Sequence, residues 1–373
     1  MAASFKNYIG IDCIALPNKF SGAAYYIINF TRNVLKSERS FPVIVFCKPA
    51  HKIIFEAWLN HGDKIITIPL KNRAQQLFFY EFQLRQLLED EHVILFQAMH
   101  YICPQQSKKY KIVTTFHDLG FLLFPKNYPV AKRIYFGKRL KIFLNRSDMV
   151  IAVSQPTKNS LAAHFPQFNN KTKVIYPGVD HFENGSRNPD TDKFILTVNS
   201  FEKRKNIPFL IRLFENLKNK YNLPHKFIII GHPNNGYSEI IETVNKTVFK
   251  DEIIIRKSVN ENELIMHYRQ ADFFLNASEY EGFGFTSFES IYQSCPSFIY
   301  QTEVTKSIFG NHKYLIENYA IDEWSEKIIN ELQNGFAEKI SKQQLAHLTW
   351  EMNAEKTITW YNTMLEKGNN GGA

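Results

Sequence analysis

Short runs rich in Ile, Val and Phe recur along the chain, and the stretches between them carry apolar residues at spacings of three and four. The runs include YIGIDCIAL (8–16), FPVIVFCKP (41–49), HVILFQAM (92–99), KIVTTFHD (111–118) and DMVIAVS (148–154). Residues 23–36 and 74–90 are examples of the helical stretches. Continuous apolar runs mark strands buried on both faces, so the pattern predicts βαβ units around a parallel sheet. The alternation lapses at HFENGSRNPDTD (181–192) and resumes with KFILTVNS (193–200), HKFIIIGHP (225–233), DEIIIRKS (251–258), ADFFLNAS (271–278) and SFIYQ (297–301). The chain therefore reads as α/β, with two doubly wound domains at 1–182 and 193–349. The polar stretch 183–192 is the linker, and 350–373 is a C-terminal helix with a loose GNNGGA tail. Two such domains facing each other across a cleft would bind ligands outside the carboxyl ends of their strands.

A length of 373 residues supports two cores, and 44% hydrophobic with 22% charged residues is a globular composition. No run approaches the length of a membrane-spanning helix, and MAASFKNYIGID lacks the features of a secretory signal. Cys13, Cys47, Cys103 and Cys295 are scattered, which argues against a zinc site or disulfide framework and fits a cytoplasmic location. A net charge of +9 points to an anionic partner such as a nucleotide phosphate or a membrane surface, although a solvated basic surface has the same charge. The basic residues are dispersed and no recognition module is present, so nucleic acid is set aside.

Four places can carry chemistry. Gly22, after the first strand and before a helix, would let backbone N–H groups approach a phosphate, or would simply make a turn. His117, at the end of a strand, can donate to a sugar hydroxyl with Asp118 orienting it, or the pair can open a turn. Lys203, Arg204 and Lys205 sit where a turn enters a helix and could neutralise a diphosphate; a solvated basic turn would look similar. In SEYEGFGFTSFES (278–290) a loop leads from a strand into a helix expected to start near Thr286 or Ser287, either of which would cap it. Backbone N–H groups around Phe283, Gly284, Phe285, Thr286 and Ser287 would face an anion or sugar hydroxyls. Glu281 stands at the mouth of the loop beside Gly282, Glu289 is expected in the first helical turn, and Glu279 is read as solvated.

EGFGFTSFE resembles the E-x7-E donor motif of the retaining GT-B glycosyltransferases of family 4 (glycosyl transferases group 1). The resemblance extends through GIDCIAL and FSGAAYYIINF (10–30), FHDLGFLLFP, MVIAVSQPTKNSL (149–161), VIYPGVD (174–180), FILTVNSFEKRKNIPFLI and LTWEMNAEKTITWYNTML (348–365). It implies two Rossmann-like domains, with the last helix returning to the first. It also implies that Arg204 and Lys205 neutralise the donor diphosphate, Glu289 holds the nucleotide ribose, and Glu281 with the backbone of Gly282, Phe283 and Gly284 holds the sugar. Gly22 would approach the diphosphate and His117 the donor sugar. The implied reaction is metal-independent and retaining, with no cofactor: a hexose, mannose being one candidate, moves from a GDP- or UDP-sugar to a glycan or lipid-linked acceptor. Surface polysaccharide or glycolipid synthesis is the implied setting. The chain departs from the family where GAAYY places Ala24 and Tyr25 at positions often Gly and Arg, and where Tyr176-Pro177-Gly178 replaces Pro-Asn-Gly.

Other readings compete. A sugar-nucleotide epimerase is disfavoured by E-x7-E with Arg-Lys-Asn, and a dinucleotide oxidoreductase by the absence of G-x-G-x-x-G after the first strand of either half. A catalytically silent relative that binds a nucleotide sugar or a partner subunit would be expected had Arg204, Lys205 or Glu281 been lost. Asp190-Thr191-Asp192 lies in the linker and is discounted as a metal site. KRIYFGKRLKIFLNR (132–146) suggests a basic amphipathic helix that either rests on the inner face of an anionic membrane or packs its apolar side into its own core.

Overall fold

A computed structural model describes residues 7–17, 21–128, 130–183, 185, 187–189 and 192–369. Asp190 and Thr191, the side chain of Lys132 and the end of the GNNGGA tail lie outside the described residues. The chain forms two compact units, one of residues 1–123, 129–181 and 348–373, the other of 124–128 and 182–347.

The first unit holds a seven-stranded sheet of β1 (Tyr8–Cys13), β2 (Val43–Cys47), β3 (Lys64–Thr67), β4 (Val93–Ala98), β5 (Lys111–Phe116), β6 (Met149–Ala152) and β7 (Thr172–Val174). The order is β3-β2-β1-β4-β5-β6-β7, with every neighbouring pair parallel. The second holds six strands, β8 (Phe194–Val198), β9 (Lys226–Ile230), β10 (Ile253–Arg256), β11 (Phe273–Asn276), β12 (Ser297–Tyr300) and β13 (Leu315–Ile316). Their order is β10-β9-β8-β11-β12-β13, again all parallel. The central strands are apolar because helices cover both faces: β2, β8 and β11 are buried at every position. Each sheet reverses its winding once, between β1 and β4 and between β8 and β11. In open α/β sheets that reversal leaves a crevice at the carboxyl ends of the two strands.

The final helix, Trp350–Asn369, packs into the first unit. Trp350 N–H donates to Asp180 Oδ1 (2.9 Å), Asn353 Nδ2 to the Tyr176 carbonyl (2.7 Å) and Tyr361 OH to Gln97 Oε1 (2.8 Å). Gly178 permits this approach, since a Cβ there would sit 2.2 Å from the Trp350 nitrogen. The stretch 74–90, expected as one continuous helix, is α-helical at Arg73–Phe78 and Leu84–Asp90 with a π-helical turn at Phe79–Gln83 between them.

Candidate active site

In the second unit, both segments singled out by sequence emerge at the switch point. After β8 the chain makes a short 3-10 turn at Lys203–Lys205, passes through Asn206 in the left-handed region (φ 48°), and enters the helix Ile207–Tyr221. After β11 it runs through Ser278–Gly284 into the helix Phe285–Tyr292. The turn and the loop are tied by backbone: Glu279 N–H donates to the Arg204 carbonyl (2.9 Å). Gly284 adopts φ +99°, a conformation that explains glycine here.

Side chains complete the junction. Lys205 and Glu281 form an ion pair, and Arg204 Nη1 donates to both the Tyr280 carbonyl (2.7 Å) and Glu281 Oε2 (3.3 Å). Arg204 Nε also donates to Glu202 Oε2 (2.8 Å), while Ser200 Oγ holds Glu202 Oε1 (2.8 Å). Burial would raise the Glu281 carboxyl, but Lys205 and then Arg204 outweigh it and hold the group below its ordinary range. Glu202 follows the same pattern, with Arg204 as its main counter-charge. Burial lowers the Lys205 ammonium from its usual value, against the opposing pull of Glu281. Lys205, Glu281 and Arg204 are thus held largely out of water, with Glu202 half-buried beside them. Lys203 is exposed, so the solvated-turn reading describes it but not its two neighbours.

Three expectations for the second loop are corrected. The helix starts at Phe285 with Gly284 at its N-cap and no side-chain cap bond, so neither Thr286 nor Ser287 caps it. Ser287 Oγ instead accepts from Asn276 Nδ2 (2.8 Å), because the left-handed Gly284 turns the chain into the helix one to two residues early. Glu289 consequently lies beyond the first turn, buried, with Oε2 accepting the hydroxyl of the buried Tyr268 (2.9 Å). Phe283 points into the core against Phe285 and Phe288, so its contribution to a ligand would come from its backbone. Glu279 is exposed, and Gly282 and Thr286 are half-buried.

Gly22 and His117 belong to the first unit. Gly22 begins the helix Gly22–Lys36, with Ser21 at its N-cap accepting from Ala24 N–H (3.3 Å). Tyr26, one turn along, packs edge-on against His117 with ring centres 4.8 Å apart, which brings the two sequence candidates together at the carboxyl end of that sheet. The His117 ring is anchored by the Met99 carbonyl (2.8 Å from Nε2), not by Asp118, whose Oδ1 accepts from Gly120 N–H (2.9 Å). Asp118 is drawn into a local turn because its side chain is short and Gly120 lies two residues on. Burial lowers the His117 pKa, so the ring is neutral near pH 7. Since Nε2–H donates to Met99, Nδ1 of that tautomer is an acceptor: His117 would receive a hydrogen bond from a hydroxyl, the reverse of the expected donation.

Sequence reasoning missed Asp12, Tyr80, His100, Glu202 and Tyr268. Asp12 is fully buried at the carboxyl end of β1, where its carboxyl receives the Tyr80 hydroxyl (2.6 Å) and Ile14 N–H (3.1 Å). Desolvation pushes its pKa up to about 7, against the lowering effect of those hydrogen bonds. A lone carboxylate inside YIGIDCIAL was a signal that could have flagged it. His100 is pushed down to about 3 by burial and then by His117.

The chain is similar to known proteins in both sequence and fold. Residues 20–182 match the family model Glycosyltransferase Family 4, and residues 179–346 match Glycosyl transferases group 1. The chain is 23% identical over 297 residues to the O-antigen chain mannosyltransferase RfbU of Salmonella typhimurium, covering 77% of this chain and 80% of that protein. It is 21% identical to the Escherichia coli O-antigen chain mannosyltransferase B, over 81% of this chain and 83% of the relative. Among solved structures it is similar to a sucrose-phosphate synthase from Thermosynechococcus elongatus (TM-score 0.75, 14% identity, 97% and 99% of the two chains). It is also similar to Anabaena HepE in complex with UDP and glucose (TM-score 0.61, 15% identity, 98% and 99%). At these identities the structural likeness speaks to the fold. With the two family matches running together over residues 20–346, the chain belongs to the family 4 glycosyltransferases, glycosyl transferases group 1, of the GT-B fold.

Proposed function

We propose that this glycosyltransferase is a retaining, metal-independent hexosyltransferase that takes its sugar from a nucleotide-diphosphate donor and passes it to a glycan or lipid-linked acceptor in surface polysaccharide synthesis. The observation that carries the reading is the buried cluster of Arg204, Lys205, Glu281 and Glu202 at the β8/β11 switch point. The four charges offset one another, so the cations are held in place without a ligand. A diphosphate would then replace Glu281 as counter-charge to Arg204 and Lys205, and the freed carboxylate would accept sugar hydroxyls. A leaving diphosphate gains most from such fixed charges in a site shielded from water, where little reorganisation is needed as charge develops. Glu289, oriented by Tyr268, is the group proposed for the ribose hydroxyls, and neutral His117 an acceptor for a hydroxyl of the donor sugar.

Mannose is the favoured sugar, on the strength of the two mannosyltransferase relatives, with GDP-mannose as the donor to try first. The test is a thermal-shift screen against GDP-, UDP- and ADP-sugars with and without a chelator, followed by NMR of the product's anomeric configuration. A GDP-sugar that raises the melting temperature equally with chelator present, and a product of retained configuration, are the expected results. No shift with any sugar nucleotide, or an inverted product, would sink the proposal.

A further inference from the structure

The helix Val130–Arg146 buries Phe136, Leu140, Phe143 and Leu144, as a helix serving its own core should. Its outer face is nevertheless not an ordinary polar one. Ile134 and Ile142 stand 54% and 40% exposed, interleaved with the exposed cations Lys138 and Lys141, and the helix contains no acidic residue. Beside it lies the π-helical turn, whose Glu81 binds Arg146 (2.8 Å) and Arg139 and so fixes the two elements together. Flanking Glu81, Phe78 and Phe82 are 55% and 65% exposed, and their rings touch each other at 4.9 Å. Two exposed aromatic rings on the turn and two exposed isoleucines on the helix that Glu81 ties to it leave more apolar surface than a solvated face would keep.

We propose that this surface of the first unit docks on an anionic phospholipid bilayer, Phe78 and Phe82 entering the headgroup–acyl boundary while Lys138 and Lys141 meet lipid phosphates. Charge selects the occupant. Glu81 already neutralises Arg139 and Arg146, whereas the outward cations face away from it on a chain of net charge +9. A second copy of the chain would bring like charges together, while an anionic lipid surface attracts them and accepts the apolar side chains between. The mode is peripheral, since among the described residues no helix is long and apolar enough to cross a membrane. Docking needs no transfer chemistry, so it can fail or succeed independently of the proposed activity.

The test is flotation of the full chain with vesicles of phosphatidylcholine, alone or mixed with phosphatidylglycerol, at low and high salt. Co-flotation is expected with the anionic vesicles at low salt and should fall as salt rises. F78E/F82E and K138E/K141E should each reduce the bound fraction about tenfold or more while keeping the wild-type melting temperature. V248E, which alters a 78% exposed residue of the second unit, should bind as wild type does. Absence of flotation at low salt, equal binding to neutral vesicles, or an equal loss in V248E would overturn the proposal. So would sedimentation showing a dimer dissolved by F78E/F82E without flotation, which would assign the patch to self-association.

Discussion

Lys205 and Glu281, 76 residues apart in sequence, form an ion pair whose side chains are only 9% and 10% exposed. The pair joins the turn after β8 to the loop after β11, and Arg204 braces it from the same turn. Breaking a buried pair from one side leaves an uncompensated charge, so Glu281→Gln should destabilise the chain by about 3 kcal/mol in urea unfolding. The carboxyl of Glu281 is held below its ordinary 4.5, so its stabilisation is present above that value and is lost as pH falls through the lower folded value. The loss of stability below pH ~4.5 should therefore be shallower in Glu281→Gln than in wild type. Parallel curves would mean the pair does not carry that charge linkage.

Asp12 predicts the opposite sign. Its folded pKa is raised to about 7 from 3.8, so between those values the native state holds a proton that the unfolded state releases. From this group, stability should decline as pH rises across that window, by at most about 1.4 kcal/mol per unit, and level off above it. Asp12→Asn keeps an acceptor for Tyr80 and removes the titration. Comparing urea unfolding of the two proteins at pH 5 and 8 should show the variant gaining on wild type at the higher pH. A constant difference would contradict the buried-carboxyl account.

Gly231 limits the shape of the cation turn. A Cβ at that position would lie 1.7 Å from the Asn199 carbonyl oxygen, so backbone must move. Gly231→Ala should cost about 1–3 kcal/mol and weaken nucleotide binding with it, by shifting the segment that leads to Arg204 and Lys205. Calorimetric titration alongside thermal unfolding checks both; loss of stability with unaltered binding would show the turn to be insulated from that strain.

Lys205→Ala should separate turnover from affinity. Charge grows on a departing diphosphate, so the fixed ammonium contributes more to the transition state than to the bound donor. With the donor identified, kcat is expected to fall about 100-fold or more while KM changes by less than about threefold. A raised KM with kcat unchanged would instead assign Lys205 to uniform binding of donor and transition state.

Much of this architecture was legible because buried parallel strands are written as unbroken apolar runs. The strands that escaped notice, β3, β7 and β13, all lie at sheet edges, and the last two span only Thr172–Val174 and Leu315–Ile316. Edge strands of that length leave too few residues to make a run. Within the site, spacing brought forward Arg204, Lys205 and Glu281, but not which cation turns inward, because that depends on contacts between segments distant in sequence. The partners of Glu289 and His117, Tyr268 and the Met99 carbonyl, lie on other elements for the same reason. Helix entry was misjudged by one to two residues because a left-handed glycine, not a hydroxyl, stands at the N-cap.

The central claim is that Arg204 and Lys205 hold a diphosphate, and calorimetric titration of GDP and UDP into wild type and Arg204→Ala tests it most directly. Wild type should bind at least one of the two, with nucleoside monophosphates markedly weaker, and Arg204→Ala should weaken the preferred diphosphate about tenfold or more at an unchanged fold. Equal affinity in the two proteins, or no binding of either nucleotide by wild type, would contradict it.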